Sequence, residues 1–353
     1  MAKTIMIMAG GTGGHVFPGL AVADELRSRG WRVIWLGAPG GMEATLVRHR
    51  GYEVVWVNFA GLRGKGLAAY ARLPMRLLRA FWQAARAIFA HRPDVLLGMG
   101  GYQSFPGAMM AALFGRPLVI HEQNSVAGLA NRVLAGVADR ILCAFPGALR
   151  NATVTGNPVR PDIAALAAPA ERYGARSGRL KLLVVGGSLG AKILNETVPQ
   201  ALALMPPERR PEVTHQSGAK HIDELARRYR DAGVNANTVA FIDDMASAYA
   251  GADVVLCRAG ALSVSELAAA GVAGILVPLP HAVDDHQTGN ARHLALAGAA
   301  IHLPQSELTP ERIASLLAEL SRERLCDMAS KARALARAGA TQAVARICME
   351  VAG

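Results

Sequence analysis

A histidine follows a run of glycines near the start of the chain, in the stretch MAGGTGGHVFPG at residues 8–19. The run comes directly after the apolar segment TIMIM and precedes a helical pattern. A strand that ends in glycines before a helix is typical of an anion site, because bare backbone lets N–H groups approach a phosphate and the helix dipole favours its charge. His15 stands where that helix is expected to begin. There it is either a solvated or capping residue or a neutral imidazole directed at a reacting hydroxyl group.

A second glycine turn, GGSLGA, follows the apolar segment LLVV near residue 186. In an alignment of the two turns, Gly186, Gly187 and Gly190 fall on Gly10, Gly11 and Gly14, with Ser188 in the place of Thr12. A further pair of segments, PDVLLGMGGYQSFPGAMMAA and ADVVLCRAGALSVSELAAAG, agree as strand, small-residue turn and helix. The chain therefore contains two similar halves, and the repetition favours ligand-binding turns over tight turns that hold nothing.

The elements that position these turns alternate between strands and helices along both halves. This alternation predicts parallel βαβ units, so the fold class is α/β, with two Rossmann-like, doubly wound parallel-sheet domains. Proline, glycine and charged residues cluster over residues 155–179 and mark the seam. We expect an N-terminal domain over residues 1–157, a C-terminal domain over 158–335, and a C-terminal helix over 336–353 that packs back on the N-terminal domain.

The turns lack the signatures of the common nucleotide cofactors. The first turn reads GGTGG rather than GxGxxG, and neither second strand, WRVIWLG or EVTHQSG, ends in the acid that would hold an adenosine ribose. No Walker motif and no DxD pair occur. The loop PLPHAVDDHQTGNARHL is rich in possible metal ligands, but their spacing suits hydrogen bonds to a sugar better than a metal site. We therefore expect no metal and no other cofactor.

Two further polar clusters follow predicted strands, where α/β sheets place ligands. HEQN, at residues 121–124, follows PLVI, and Glu266 closes the motif RAGALSVSE. We expect Glu266 in the first turn of a helix. It is then either a helix-start residue that complements the dipole or the acceptor of two ribose hydroxyl groups.

The composition is basic, with a net charge of +11, but it does not indicate a nucleic-acid binder, because the charge is spread and aromatic residues make up 5%. No apolar run is long enough to cross a bilayer, no signal peptide is recognisable, and four separated cysteines read as reduced structural thiols. These features predict a cytoplasmic location.

A basic amphipathic stretch spans residues 61–94. On a helical wheel its polar side falls within about 80° and comprises Arg72, Arg76, Arg79, Gln83 and Arg86. Its apolar side comprises Leu77, Leu78, Phe81, Trp82, Ile88 and Phe89. The apolar side is either ordinary core or, in part, a surface that rests on anionic lipid with arginines at the headgroups, and both interpretations can hold together. The segment GLRGKG is expected to be a mobile loop near an acceptor.

Seven motifs occur in order through essentially the whole chain: GGTGGH, GMGGYQSFPG, HEQN, TGNPVR, GGSLGA, RAGALSVSE and DDHQTGNA. Together they resemble the family 28 glycosyltransferases that transfer N-acetylglucosamine (GlcNAc) in bacterial peptidoglycan synthesis. The resemblance implies the GT-B fold, two Rossmann-like domains facing across a cleft. It implies an inverting transfer from UDP-GlcNAc to the 4-hydroxyl group of the N-acetylmuramoyl (MurNAc) unit of lipid I, which gives lipid II. It also implies a peripheral enzyme on the cytoplasmic face of the inner membrane, against anionic lipid, with cell-wall and division proteins as candidate partners.

The resemblance also assigns residues to the substrates. In the C-terminal half Ser188 would lie near the diphosphate, Ile242 would meet the uracil through its backbone, and Gln287 would bond the GlcNAc. A segment along the nucleotide would end with Glu266 on the ribose and comprises Ala261, Leu262, Ser263, Val264, Ser265 and Glu266. The residues that would reach the donor from the first half and the seam are Thr12, Gly13, Gly14, Asn124 and Arg160. The acceptor diphosphate would lie near the glycine turns of the N-terminal half.

The reaction needs a base for the hydroxyl proton and positive potential for the departing diphosphate. His15 is our first candidate for the base and Glu122 the second, although a late proton transfer would leave His15 only to position the hydroxyl group. Helix N-termini, Ser188 and Arg160 are candidates for the positive potential. Two other functions remain open at this point, a UDP-GlcNAc 2-epimerase on the same scaffold and a non-catalytic nucleotide-sugar sensor.

Overall fold

The computed structural model describes residues 2–59, 72–187 and 190–353. The chain divides into two compact units. The amino-terminal unit comprises Met1–Arg160 together with Arg337–Gly353, and the carboxy-terminal unit comprises Pro161–Ala336. The segment GLRGKG and the residue Ser188, both singled out in the sequence, lie outside the described residues. In the part of the chain that is described, no helix is both long and apolar enough to cross a membrane.

The amino-terminal unit contains a seven-stranded parallel sheet in the order β3-β2-β1-β4-β5-β6-β7. Its strands are β1 (Thr4–Met8), β2 (Arg32–Gly37), β3 (Glu53–Trp56), β4 (Val95–Gly98), β5 (Leu118–Glu122), β6 (Arg140–Cys143) and β7 (Thr153–Val154). Its helices are α1 (Gly13–Ser28), α2 (Met42–His49), α3 (Leu73–His91), α4 (Ser104–Leu113), α5 (Leu129–Leu134) and α15 (Ala340–Val351).

The carboxy-terminal unit contains a six-stranded parallel sheet in the order β10-β9-β8-β11-β12-β13. Its strands are β8 (Lys181–Val185), β9 (Glu212–Gln216), β10 (Asn237–Val239), β11 (Val254–Arg258), β12 (Ala273–Val277) and β13 (Ala300–His302). Its helices are α6 (Pro161–Ala164), α7 (Pro169–Gly174), α8 (Lys192–Ala203), α9 (Ile222–Asp231), α10 (Met245–Gly251), α11 (Ala261–Ala270), α12 (His286–Ala295), α13 (Pro310–Glu319) and α14 (Arg322–Leu335). Short 3-10 turns cover Pro207–Arg209, Val283–Asp285 and Gln305–Glu307.

Both sheets use the same strand order over their first six strands, so the predicted Rossmann-like α/β architecture is confirmed in each unit. Strand β1 is buried at every position, as expected for a central parallel strand covered on both faces. The two central strands also begin alike. The Thr4 N–H donates to Asp94 at 2.7 Å, and the Lys181 N–H donates to Asp253 at 2.9 Å. Asp94 and Asp253 hold matching places in the sequence repeat, each just before the strand that pairs with the central one.

The order of the strands reverses direction between β1 and β4 in one unit and between β8 and β11 in the other. Ligands of open α/β sheets bind outside the carboxyl ends of the strands at such a switch point, because the two flanking turns diverge there and leave a crevice. The switch points bring the first glycine turn next to Gly100–Gly101, and the second glycine turn next to Gly260. The folds therefore place every candidate turn at a ligand-binding edge.

The C-terminal helix α15 packs in the core of the amino-terminal unit, against α1 and the central strands. The segment that enters this helix packs closely against Gly156, which has φ of +82°. A Cβ at Gly156 would overlap the side chain of Arg337 and would lie 3.3 Å from Ala340 Cβ. Only glycine satisfies both the backbone angle and the space at this position.

Replacing Gly156 should destabilise the protein more than replacing a glycine that has only the backbone constraint. Gly147 is the matched control, since its φ is +79° and nothing lies within 4 Å of a Cβ built there. Gly147→Ala should lower the free energy of unfolding by about 1–2 kcal/mol through backbone strain. Gly156→Ala should lower it by about 2–5 kcal/mol, because overlap adds to the strain. Urea unfolding measures both, and equal losses would contradict the close contact at Gly156.

Candidate functional site

The first glycine turn closes against two buried polar side chains. A Cβ at Gly10 would overlap the side chains of Gln103 and Glu43, and Gly11 follows with φ of +87°. The Glu43 carboxylate accepts the Gly11 N–H at 3.1 Å and the Ala38 N–H at 3.1 Å. An internal carboxylate therefore fixes the turn from below, and it already occupies one of the N–H groups that an anion would use.

The amino end of α1 continues this turn. Thr12 is its exposed N-cap residue, with extended backbone and no side-chain bond that caps the helix. Gly13 and Gly14 are the first residues of α1, so no side chain covers the terminus at these positions. The first N–H groups of a helix have no partner within the helix and suit an oxygen-rich ligand. The geometry is therefore compatible with the sugar contacts predicted for these three residues.

His15, in the first turn of α1, heads a chain of hydrogen bonds that ends on the backbone. Its Nδ1 lies 2.7 Å from Gln123 Oε1, and Gln123 Nε2 lies 3.0 Å from Nδ1 of His121. His121 Nε2 in turn lies 2.9 Å from the carbonyl oxygen of Gly156. Burial lowers the pKa of His121 to about 4, so its imidazole is neutral at physiological pH. This arrangement connects α1, β5 and the segment after β7.

The second candidate base, Glu122, is engaged by four donors. Its Oε1 accepts the backbone N–H and the side-chain amide of Asn124, at 2.9 and 3.2 Å. Its Oε2 accepts the Gly128 N–H at 3.2 Å and the Asn131 amide at 2.9 Å. Since a carboxylate offers about four lone-pair positions, this buried group has little capacity left for a substrate proton. Its geometry favours organising the loop that carries Asn124 over acting as a base.

Arg160 is the last residue of the first segment of the amino-terminal unit. Its guanidinium lies 5.6 Å from the centre of the Phe17 ring, a cation–π distance. Phe17 belongs to α1, whose first turn carries His15. The contact therefore places the predicted nucleotide-binding arginine beside the same helix.

The second glycine turn matches the first at one described position. Gly187, which aligns with Gly11, has φ of +85°, and a Cβ at Gly190 would overlap the Ser217 carbonyl group. The Gly187 N–H donates to Oε1 of Gln216 at 3.2 Å, and the Gln216 amide donates back to the Gly187 carbonyl at 3.0 Å. A neutral amide thus holds this turn where a carboxylate holds the first one.

The same amide connects the turn to the segment of Ile242. Gln216 Nε2 donates to the carbonyl oxygen of Ala240 at 3.1 Å, and the Ser217 N–H donates to that of Val239 at 3.0 Å. Ile242 follows this anchored backbone and is half-buried. The structure therefore brings the predicted uracil segment and the predicted diphosphate turn to one edge of the sheet.

Helix α11 begins at Ala261, directly after the extended N-cap residue Gly260. The expectation that Glu266 lies in the first turn is wrong, because the helix starts immediately after the glycine and Glu266 falls in its second turn. Glu266 is only 4% exposed, and its Oε2 accepts the Tyr249 hydroxyl group at 3.2 Å. A helix dipole acts over its first turn, so the helix-start interpretation of this carboxylate does not apply. The remaining members of the predicted segment are Leu262, Ser263 and Ser265, which are half-buried, and Val264, which is buried.

Gln287 lies near the start of α12, and its orientation is set by the chain before it. Its Oε1 accepts the Leu279 N–H at 3.0 Å. With the carbonyl oxygen engaged, its NH2 group is the end that can donate to a sugar hydroxyl or acetamido group. In the described ranges, no group of three or more His, Cys, Asp or Glu side chains is arranged to hold a metal ion, the polar loop at residues 281–287 included.

Sequence reasoning missed Glu43 and Gln216, which bond the turns, and two further side chains of the candidate sites, Gln103 beside Gly10 and Tyr249. Glu43, Gln103 and Gln216 are all buried, and Tyr249, which donates to Glu266, is buried as well. The position of Gln216 in the sequence could have indicated its role. Gln216 ends the second strand of its unit, and at that place a dinucleotide-binding fold has an acidic residue that contacts the ligand. Glu43 gave no comparable signal, because its partners are backbone groups that only the turn geometry brings together.

Helix α3 has three faces rather than the two predicted. Ala80, Ala84, Ala87 and Ile88 are buried, and Leu77 and Phe81 are half-buried. A separate apolar stripe is exposed, within about 60° on a wheel of about 100° per residue, and comprises Met75, Leu78, Trp82 and Phe89. The arginines beside this stripe are exposed too, namely Arg72, Arg76, Arg79 and Arg86. The small alanines on the core side explain the difference, because they let the helix pack closely while its large side chains stay outside.

Comparison with known proteins identifies the family. The family model of the glycosyltransferase family 28 N-terminal domain matches residues 5–143. The family model of the glycosyltransferase family 28 C-terminal domain matches residues 181–347. A protein of Dechloromonas aromatica is 62% identical over 352 residues, which cover 100% of both chains. A protein of Aromatoleum aromaticum is 63% identical over 350 residues, 99% of this chain and 98% of its own. Both are named UDP-N-acetylglucosamine–N-acetylmuramyl-(pentapeptide) pyrophosphoryl-undecaprenol N-acetylglucosamine transferase.

Solved structures agree with the family and with the fold. The crystal structure of Acinetobacter baumannii MurG is 42% identical, covers 99% of both chains and superposes with a TM-score of 0.85. A putative UDP-N-acetylglucosamine 2-epimerase from Listeria monocytogenes superposes with a TM-score of 0.65 at 15% identity, which shows a shared fold alone. With both domain descriptions matched and full-length relatives at this identity, the chain belongs to glycosyltransferase family 28 and has the GT-B fold predicted from its motifs.

Proposed function

We propose that this protein is the N-acetylglucosaminyltransferase that moves GlcNAc from UDP-GlcNAc to the 4-hydroxyl group of the MurNAc unit of undecaprenyl-diphosphate-linked MurNAc-pentapeptide. The reaction converts lipid I to lipid II in peptidoglycan synthesis. The observation that carries the proposal is the full-length identity of about 60% to relatives that bear this activity in their names. The epimerase alternative has no comparable support, since the epimerase structure is similar in fold alone.

The carboxy-terminal unit binds the donor. Its glycine turn is held by the neutral amide of Gln216, so an incoming diphosphate meets no internal carboxylate at Gly187. The amino terminus of α11, where Leu262 and Ser263 stand, adds the positive end of a helix dipole. Ser188 is the proposed contact of the diphosphate in the sequence of this turn. Glu266 accepts ribose hydroxyl groups, Ile242 meets the uracil, and the Gln287 amide donates to GlcNAc.

The amino-terminal unit binds the lipid-linked acceptor and supplies the base. Thr12, Gly13, Gly14 and Asn124 contact the donor sugar, and Arg160 meets the nucleotide. His15 accepts the proton of the 4-hydroxyl group as that oxygen attacks C1 and UDP departs. Helix N-termini and Arg160 stabilise the charge that develops on the leaving diphosphate.

Helix α3 holds the enzyme at the cytoplasmic face of the inner membrane as a peripheral protein. Leu78 and Trp82 are 65% and 62% exposed, on a stripe that arginines flank. An interfacial helix lies in the plane of the membrane surface. Its apolar side chains enter the boundary between headgroups and acyl chains, and its cationic side chains contact the headgroups. An arginine adds about 1 kcal/mol of attraction to an anionic leaflet. Binding there places the enzyme on the surface that carries its lipid-linked acceptor, and cell-wall and division proteins are the candidate partners at that surface.

Transfer should depend strictly on the acceptor. The protein is incubated with radiolabelled UDP-GlcNAc, with and without a lipid I analogue, and the products are separated. We expect a labelled β-linked disaccharide with the analogue and intact donor without it. Epimerised UDP-sugar in the absence of acceptor would instead support the epimerase, and donor binding without any turnover would support a sensor.

Removing the charge of Glu266 should weaken UDP binding. Glu266→Gln replaces a charged acceptor of ribose hydroxyl groups, so the affinity for UDP should fall by about 1–3 kcal/mol, roughly fivefold to 150-fold. Tyr249→Phe is the matched control, because it removes the hydroxyl group that donates to Glu266 and leaves the carboxylate in place. Titration calorimetry with UDP and with 2′-deoxy-UDP measures both. An unchanged UDP affinity, or an equal loss with 2′-deoxy-UDP, would contradict the ribose role.

Charging the exposed stripe of α3 should release the protein from anionic vesicles. The double variant Leu78→Glu and Trp82→Glu removes two large apolar groups, each worth about 1.5–3 kcal/mol when fully buried, and adds repulsion. Co-sedimentation should show binding of the parent to phosphatidylglycerol vesicles, little binding to phosphatidylcholine, and at least a tenfold loss for the variant. Leu296→Glu, an equally drastic change at an 87% exposed leucine of the other unit, is the control. Retention of the double variant on anionic vesicles would rule this surface out.

A further inference from the structure

We propose that Gln123 is a positioning residue that fixes the tautomer of His15, so that Nδ1 carries the hydrogen and Nε2 is the nitrogen open to the substrate. The inference rests on the proposed function for its catalytic meaning. The tautomer itself is a property of the protein that can be measured without turnover.

The carbonyl oxygen of Gly156 has a fixed role in the hydrogen bonds that follow. A carbonyl oxygen only accepts, so His121 Nε2, at 2.9 Å, must carry a hydrogen and donate it. His121 is fully buried, and burial lowers its pKa to about 4, so the ring is neutral and its Nδ1 holds a lone pair. Nδ1 of His121 is therefore an acceptor.

The orientation of the Gln123 amide follows from two acceptors. Its nitrogen lies 3.0 Å from the lone pair-bearing Nδ1 of His121 and 3.1 Å from the backbone carbonyl oxygen of His121. Turning the amide over would set an oxygen against both acceptors and leave two unfavourable contacts at a side chain that is 1% exposed. The NH2 group of Gln123 must therefore face His121, and its Oε1 must face the other way.

That oxygen lies 2.7 Å from Nδ1 of His15, so Nδ1 is the nitrogen that donates. A neutral imidazole carries one hydrogen, and its Nε2 is then left with the lone pair. The Nε2 edge of the ring lies over the glycine turn after β4. A Cβ at Gly101 would lie 3.7 Å from His15 Nε2 and 3.5 Å from Cδ2, and one at Gly100 would lie 3.3 Å from Cε1. Two glycines with positive φ thus keep the turn beside this edge free of side chains.

The chain of hydrogen bonds from His15 through Gln123 and His121 to Gly156, called the relay below, also suits the proton transfer. As the acceptor oxygen bonds to C1 of GlcNAc, the C1–O bond to UDP breaks and its electron pair leaves with UDP. The hydroxyl proton moves to Nε2 of His15, and the resulting imidazolium still donates its Nδ1–H to Gln123. Gln123 thereby performs the orienting task that a carboxylate performs in a Ser-His-Asp triad. It does so as a neutral group, without a second buried charge beside Glu122.

The first test reads the tautomer directly. Nitrogen-15 NMR of histidine-labelled protein distinguishes a protonated ring nitrogen from one with a lone pair, and His15→Asn assigns the signals. We expect His15 protonated at Nδ1 in the parent and a mixture of tautomers in Gln123→Met, which keeps the side-chain length and removes both hydrogen-bonding groups. Protonation of His15 at Nε2 in the parent, or an unchanged Nδ1 tautomer in Gln123→Met, would overturn the proposal.

The second test separates positioning from general stability. Gln123→Met should lower kcat about ten- to hundredfold and leave the KM for UDP-GlcNAc within about twofold. Tyr52→Phe is the control, because it removes a buried hydroxyl group that donates to Asp24 in the same unit, and Tyr52 lies just before β3, at the opposite end of the sheet from the relay. It should lower thermal stability without lowering kcat. A loss in Gln123→Met that follows stability alone, or that falls on KM, would count against positioning.

Failure of the base role is distinguishable from failure of the relay. If His15→Ala retains most of its turnover, the proposed base is wrong, and the NMR result for Gln123 stands or falls independently. If His15→Ala is inactive and the His15 tautomer in the parent does not depend on Gln123, the base role is supported and the relay is wrong.

Discussion

The close packing of the chain at the carboxyl ends of β1 and β8 is the constraint on which both candidate sites depend. At Gly10 and at Gly190 even one added carbon atom would overlap neighbouring groups. At Gly11 and Gly187 the backbone adopts nearly the same left-handed conformation, with φ of +87° and +85°. These turns let the following helix begin directly at the switch point of each sheet. His15, in the first turn of α1, and the start of α8 owe their positions to that geometry.

Glycine turns leave backbone groups that need partners, and buried side chains supply them. Glu43 serves the first turn, Gln216 serves the second, and Gln123 ties β5 to α1. A buried amide of this kind offers a donor and an acceptor at fixed positions, so it transmits an orientation from one neighbour to the other. This is why the fixed role of the Gly156 carbonyl can determine which nitrogen of His15 is open. The site is specified by its buried polar partners as much as by the residues that touch a substrate.

The sequence allowed the architecture to be predicted because strand, glycine turn and helix recur at matching places in both halves. The repeat aligns Gly187 with Gly11, and in the structure these two residues have nearly the same φ. The place of Glu266 within its helix was predicted wrongly, since one helical turn depends on where the N-cap falls. The sequence left open how the apolar residues of α3 divide between core and surface, and the structure shows both a buried and an exposed set. A helical wheel separates polar from apolar residues, but only packing shows that alanines fill the core side while Leu78 and Trp82 remain exposed.

The two turns share a backbone conformation at Gly11 and Gly187 but differ in the charge of the side chain that holds them, and this difference favours different ligands. At equivalent N–H groups the first turn meets the Glu43 carboxylate at 3.1 Å, and the second meets the Gln216 amide at 3.2 Å. The backbone N–H is engaged in both turns, but a diphosphate placed over Gly11 would approach a buried carboxylate, whereas over Gly187 it would approach a neutral amide. The first turn is therefore better suited to hydroxyl groups and sugar oxygens, which accept the free N–H groups of α1 without bringing a charge. The same logic weakens the expectation that the acceptor diphosphate rests on the first turn.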